Sequence, residues 1–234
     1  RTALEIGGII RPYLDSAKSE SLAKQLETSL QTKDTEMSMM VELRVPFTIA
    51  FSDSVTALAV DGSDKVWVGT KNGLWSFDGS SWSLVTVLEG LPSNAVTSIA
   101  VGKGDEIAVG TENGFAVLAE GSWESDDLAA TKFEDRRVTA VAIENRDMIY
   151  VGTNTGLVRR SGTTYTVYDT SHGLISSGVT ALMIDSDGKV WVGGLNGVAL
   201  NSGSSWKRYR FPGSTVYSFA EYRSGRVWIG TNRG

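Results

Sequence analysis

Groups able to do chemistry are few in this chain of 234 residues, which has one His, no Cys and a net charge of −5. His172, in Thr170-Ser171-His172-Gly173-Leu174, is the one candidate imidazole base. No acid partner or nucleophile is set beside it by a recognisable spacing, so it reads as a solvated, loop-ordering residue. Without Cys there is no disulfide, thiolate zinc site, iron–sulfur cluster or thiol nucleophile. A single His makes no multi-His metal site. Asp185-Ser186-Asp187-Gly188 opens like a calcium loop but lacks the glutamate such a loop needs further on, and it sits where a turn between strands is required. The Gly-x-x-Gly segments precede strands rather than helices, so no helix N-terminus aims at an anion. The sequence therefore offers no catalytic residue, no metal ligand set and no cofactor, and it reads as a non-enzyme.

What recurs instead is a set of polar positions. Asn72, Asn113, Thr155, Asn196 and Arg233 hold the same place in five copies of one motif, while Asn94, Arg136, Arg137 and His172 lie in longer connections. A ring of amides with a few arginines suits a polar small molecule, a glycan or a loop of another protein. Asn before Gly is also ordinary turn chemistry, and both readings stand. The Trp and Tyr residues at fixed places read as packing between repeats more than as a stacking platform. Mild acidity without clustered Lys or Arg argues against a nucleic-acid surface. No run of 18 apolar residues exists, so no helix here is expected to span a bilayer.

The motif itself dictates the architecture. Val66-Trp67-Val68-Gly69-Thr70-Lys71-Asn72-Gly73-Leu74 recurs at 107–115, 149–157 and 190–198, and again in shortened form at 227–234. Gly69, Gly110, Gly152, Gly193 and Gly230 step by 37 to 42 residues. A small-and-branched run precedes each copy, starting near 55, 96, 138, 179 and 216. An aromatic (Trp82, Trp123, Tyr165, Trp206) follows each of the first four. Periodicity makes each unit four short strands, here called first to fourth, which is the period of a β-propeller blade. The first strand keeps one face small (Ala57/Ala59, Ser98/Ala100, Ala140/Ala142) and the other bulky, as convergence on a central axis requires. The Gly after the second strand is expected to allow a tight turn with positive φ.

In these residues the units resemble the two-component regulator propeller repeat, most closely at 61–85 and 185–209, with a degraded copy at 105–124. The resemblance covers residues 53–234. It implies an all-β propeller and a sensing role outside the cytoplasm, in the periplasm or beyond, where such propellers meet carbohydrate-like ligands. The Cys-free composition suits a cytoplasmic protein equally. An alternative expectation is a structural or assembly component of a secreted or cell-surface complex.

The N-terminal quarter differs. Met37, Met39, Val41, Leu43, Val45, Phe47, Ile49 and Phe51 alternate with smaller or polar residues, a period-2 pattern. Residues 37–51 are expected to supply outer strands of the fifth blade and close a five-bladed ring; the competing expectation is that further blades follow Gly234. Within 1–36, Leu22, Leu26, Leu30 and Ala23 share one helical face and Pro12 stands near its start, predicting a short helix that packs on the propeller or docks a partner. The domains expected are thus 1–36, helical, and 37–234, the propeller. The N-terminal helix and an open blade edge both offer routes to an oligomer.

Overall fold

The computed structural model describes residues 54–131, 135–203, 205–222 and 225–234. These residues form four-stranded antiparallel sheets in which strands adjacent in sequence are adjacent in the sheet. The first sheet is β1 (Val55–Val60), β2 (Val66–Thr70), β3 (Gly73–Phe77) and β4 (Trp82–Val85). The second is β5 (Val96–Val101), β6 (Ile107–Thr111), β7 (Gly114–Ala119) and β8 (Ser122–Asp126). The third is β9 (Val138–Asn145), β10 (Met148–Thr153), β11 (Leu157–Ser161) and β12 (Thr164–Tyr168). The last is β13 (Val179–Ile184), β14 (Val190–Asn201), β15 (Trp206–Tyr222) and β16 (Arg226–Thr231). The first strands of successive sheets lie beside one another, which puts them innermost. The fold is a β-propeller. Among the described residues no helix is long and apolar enough to cross a membrane.

The last sheet departs from the repeat. β14 and β15 are long because each holds two arms: Val190–Gly194 pairs with β13 and Gly197–Asn201 with the start of β15. The second arm of β15, Val216–Tyr222, pairs with β16 and corresponds to the first strand of a fifth unit. Consecutive left-handed residues, Asn196 (φ 70°) and Gly197 (φ 139°), separate the arms of β14. Gly194 stands here where the other copies carry Thr, so the hydroxyl that closes their turn is missing.

Four apolar clusters fill the junctions, one for each pair of successive units. Between the first two sheets, Trp67 packs with Leu74, Val96 and Ile107, and meets Trp123 edge-on at 6.0 Å. Each junction also has a knob and a hole. A Cβ at Gly69 would lie 2.5 Å from Val96 Cγ1, and Gly110, Gly152 and Gly193 crowd Val138, Val179 and Val216 at 2.5, 2.5 and 2.7 Å. The motif glycine is thus required by the approach of the next sheet. Positive φ belongs to the second glycine of the motif, at Gly73, Gly114 and Gly197. Thr56, Thr139 and Thr180 add a hydroxyl bond to the carbonyls of Val96, Val179 and Val216 across three of the junctions.

The strand pair expected over 37–51 and the helix expected within 1–36 lie outside the described residues, and with them the closure of the ring and the number of its blades.

Candidate functional site

The turns between second and third strands and the connections from fourth to next first strand meet at one end of the sheets. Four of the five such turns are built on a threonine. Thr70, Thr111 and Thr153, all buried, donate to the carbonyls of Gly73, Gly114 and Gly156 at 3.0, 2.8 and 3.1 Å. Their oxygens accept the amides of Asn72, Asn113 and Thr155 at 3.1, 3.2 and 3.1 Å. Thr231 repeats this with Gly234 and the Arg233 amide. Asn72, Asn113, Thr155 and Arg233 therefore hold equivalent places with exposed side chains. Asn196 is the exception: lacking the threonine, its turn is left-handed, and its Oδ1 accepts from Gly213 N at 2.9 Å.

The connections lock onto these turns. Arg136 O accepts from Gly114 N at 2.9 Å, and its guanidinium pairs with Asp127 at 2.8 Å. Arg137 reaches towards Glu112 at 3.9 Å and stays more than half exposed. Asp135, which precedes them, accepts from Asn154 Nδ2 at 2.8 Å and Arg137 N at 2.9 Å. Those bonds, Asn154 first, hold its carboxyl below the usual aspartate range. Glu112-Asn113, Asp135-Arg136-Arg137 and Asn154-Thr155 thus form one polar neighbourhood. Asn196, Gly213 and Arg233 form another, since a Cβ on Gly213 would sit 2.9 Å from an Arg233 Nη. Asn94 orders its own connection by accepting from Val87 N at 2.9 Å.

Two features escape a sequence reading centred on the residue before the second glycine. The preceding turn residue makes the cross-loop contacts: Glu112 N to Ala95 O, Asn154 to Asp135, and Asn232 Oδ1 to Thr215 N. The signal available was an amide at either central turn position. The connection after β4 also presents Leu88, 89% exposed, beside exposed Val87. That loop is tightly built, with Thr86 N, Oγ1 and O engaging Glu89 and Leu91.

His172 requires a correction. An acid does stand beside it, three residues earlier: Asp169 Oδ1 lies 2.8 Å from His172 Nδ1 and also accepts from Ser171 Oγ at 2.6 Å. Bonds from Ser171 and His172 keep the Asp169 carboxyl well below its ordinary range. Serine and aspartate both meet the same ring nitrogen, and the serine hydroxyl donates to the carboxylate. A relay needs them on opposite nitrogens. The trio caps the 3₁₀ turn Thr170–His172.

At the other end of the sheets Asp185 shows what its motif does. Oδ1 accepts the amides of Lys189 and Asp187 at 2.8 and 3.0 Å, and Oδ2 the Trp191 indole at 2.8 Å. Asp187 turns away to Lys189 Nζ at 2.6 Å. Among the described residues no three His, Cys, Asp or Glu gather where a metal would sit.

The family model described as two component regulator propeller matches residues 173–196 and 210–233. No curated protein matches the sequence. Among solved structures, the chain is similar to the extracellular domain assigned to a hybrid two-component system of B. thetaiotaomicron (TM-score 0.62, 19% identity, 76% of this chain, 26% of that one). It is also similar to virginiamycin B lyase from Staphylococcus aureus (TM-score 0.63, 13% identity, 77% of this chain, 64% of that one). A third likeness is to YCF48 bound to D1 peptide (TM-score 0.56, 14% identity, 80% of this chain, 64% of that one). The chain thus spans about a quarter of the first of these proteins, and likeness at such identities is one of fold.

Proposed function

We propose that this chain, a propeller built from two-component regulator repeats, is a non-catalytic recognition module of a sensor, placed in the periplasm or outside the cell. It binds a polar ligand, a small molecule or glycan, on the face made by the turns between second and third strands and the connections beside them. The observation that carries this reading is the cross-loop bonding at Glu112, Asp135 and Asn154. It fixes a polar rim before any ligand arrives while leaving Arg137 and Asn113 exposed. A rim already ordered loses little conformational entropy on binding. The likeness to the extracellular domains of a hybrid two-component system and a one-component system supports the sensor role and the location. The non-catalytic reading rests on His172, whose Nδ1 is engaged in capping its own turn.

The test is a thermal-shift screen with a panel of mono- and oligosaccharides. A hit is expected to raise the melting temperature of the natural chain, and Arg137→Ala with Asn113→Ala is expected to abolish that rise while melting normally alone. Asn196 is unsuited to this test, because it also holds Gly213 in place. A panel without a single hit, or a hit unaffected by the double substitution, overturns the reading.

A second reading, protein binding in an assembly, is favoured by Leu88. An ordered loop that offers a leucine to solvent suits insertion into a partner's apolar pocket. The equivalent turn at Asp169–Leu174 carries Thr170 and Ser171 at the corresponding places, so the backbone does not demand apolar residues there. The likeness to a protein solved with a bound peptide points the same way. Leu88→Ser is expected to abolish capture of such a partner and to leave saccharide binding intact.

A further inference from the structure

At the end of the sheets away from the loop face, one bond joins units that are not neighbours. The turn between first and second strands lies innermost there, because it leads off the strand nearest the axis. In the first and fourth units an aspartate opens this turn and is spent on its own hairpin and on the second-strand tryptophan. The second unit has lost both halves of that pair, with Gly102 in place of the aspartate and Ala108 in place of the tryptophan. Charged side chains of its turn serve other units instead. Asp105 Oδ1 accepts from Gly62 N of the first unit at 2.7 Å. Lys103 Nζ donates to Ser186 O of the fourth unit at 3.0 Å, across 83 positions and past the third unit. Lys189 first, and Lys103 after it, draw the neighbouring Asp187 carboxyl below the usual aspartate range. Ser186 is held from its other side as well, its amide donating to Glu221 Oε2 at 2.8 Å and its hydroxyl to Glu221 Oε1. Glu221 lies on the first strand of the fifth unit. The third turn has other bonds: Asn145 Oδ1 accepts the amides of Asp147 and Met148, both at 3.0 Å, and Arg146 reaches Glu120 at 3.3 Å and Glu124 on the outer strands of the second sheet.

We propose that Lys103 is a strap that ties the second unit to the fourth, so that a disturbance in one is transmitted to the other without passing through the third. Where repeats contact only their neighbours, an array opens locally and a disturbance fades from unit to unit. A bond that skips a unit changes this. The second turn cannot move without releasing Ser186, and Ser186 is fastened in turn to Glu221 of the fifth unit. The bond is charge-assisted, with an ammonium as donor. It also gives a use to the degraded motif of the second unit: a turn that no longer has to hold its own tryptophan is free to reach across the array. The strap is independent of what the loop face binds.

The experiment is amide hydrogen exchange of the full chain, read by mass spectrometry segment by segment, for the natural protein and for Lys103→Met. That substitution removes the ammonium and keeps most of the stem. Lys103 is exposed, and circular dichroism with melting curves checks that the variant folds; Lys103→Gln replaces it if not. Exchange is expected to become several-fold faster over 185–189 in the fourth unit, while 145–147 in the third unit exchanges as in the natural protein. Glu221→Gln, which loosens Ser186 from its other side, is expected to speed exchange over the same 185–189 segment. Faster exchange confined to 102–106 overturns the proposal, since the bond would then carry nothing across. An increase of equal size at 145–147 overturns it too, because that is a general loss of stability rather than a link between the second and fourth units.

Discussion

Trp67 donates its indole N–H to Asp61 Oδ2 at 2.9 Å, and six positions separate them. Trp191 and Asp185 repeat the bond at the same separation and 2.8 Å. The aspartate that begins the turn between first and second strands therefore also holds the aromatic that packs against the next sheet. One carboxylate couples the local hairpin to the junction, which is why Asp and Trp recur together in the motif.

Removing that carboxylate has a definite consequence. Hydrogen bonds to a charged group each contribute about 1.5–3 kcal/mol, and Asp185 is 5% exposed. Asp185→Ala is expected to lower stability by roughly 2–3 kcal/mol, read as a lower urea midpoint. The Trp191 indole then faces the core with no acceptor. A change within error would show that the turn closes without it.

Tyr165 sets an alkaline limit. Its hydroxyl donates to Asp126, and burial first, then that bond, pushes the phenol up from 10.0 to about 12. A proton held more tightly in the folded state stabilises it fully below the unfolded value, and the effect fades as pH rises through the folded one. Stability is expected to fall between about pH 10 and pH 12 through this group. Tyr165→Phe is expected to flatten that stretch of a denaturant-midpoint-against-pH curve. An unchanged slope would assign the loss elsewhere.

The threonines at the junctions give a paired comparison. Thr139 Oγ1 donates to Val179 O at 2.6 Å, whereas Thr97 Oγ1, at the equivalent position, is buried with no hydrogen-bond partner among the described residues. Thr139→Val is expected to cost about 1 kcal/mol, and Thr97→Val to be neutral or mildly stabilising. Equal losses in the two melting curves would contradict the geometry.

Gly110 tests the knob and hole directly. A Cβ there would lie 2.4 Å from Ser98 Oγ and 2.5 Å from Val138 Cγ1. Gly110→Ala is expected to cost about 3 kcal/mol by forcing the second and third sheets apart, and Gly110→Ala with Val138→Ala to recover part of it. Failure of the double substitution to recover anything would mean that the clash is with Ser98 alone.

The sequence by itself determined the period, the four-strand unit and the propeller, because strand pairing and turn chemistry are local and repeat at fixed offsets. Trp67, Gly69 and Gly73 declare themselves by recurrence. Recurrence also showed that Asn72, Asn113 and Thr155 are equivalent, and they do share one turn geometry. It did not show which turn residue bonds the neighbouring connection, since the bonds from Asn154 to Asp135 and from Asn232 to Thr215 join segments about 17 to 19 residues apart. Nor did it explain the motif glycine: no local pattern reveals that the residue facing Gly69 is Val96, in the next sheet. Asp169 lay in plain view three residues before His172, yet its role depends on the turn that brings carboxylate and imidazole to the same nitrogen. The tertiary structure alone decided how the sheets meet, since Val96, Val138, Val179 and Val216 are each buried against a glycine of the preceding sheet, a contact between residues too far apart for a local pattern to announce.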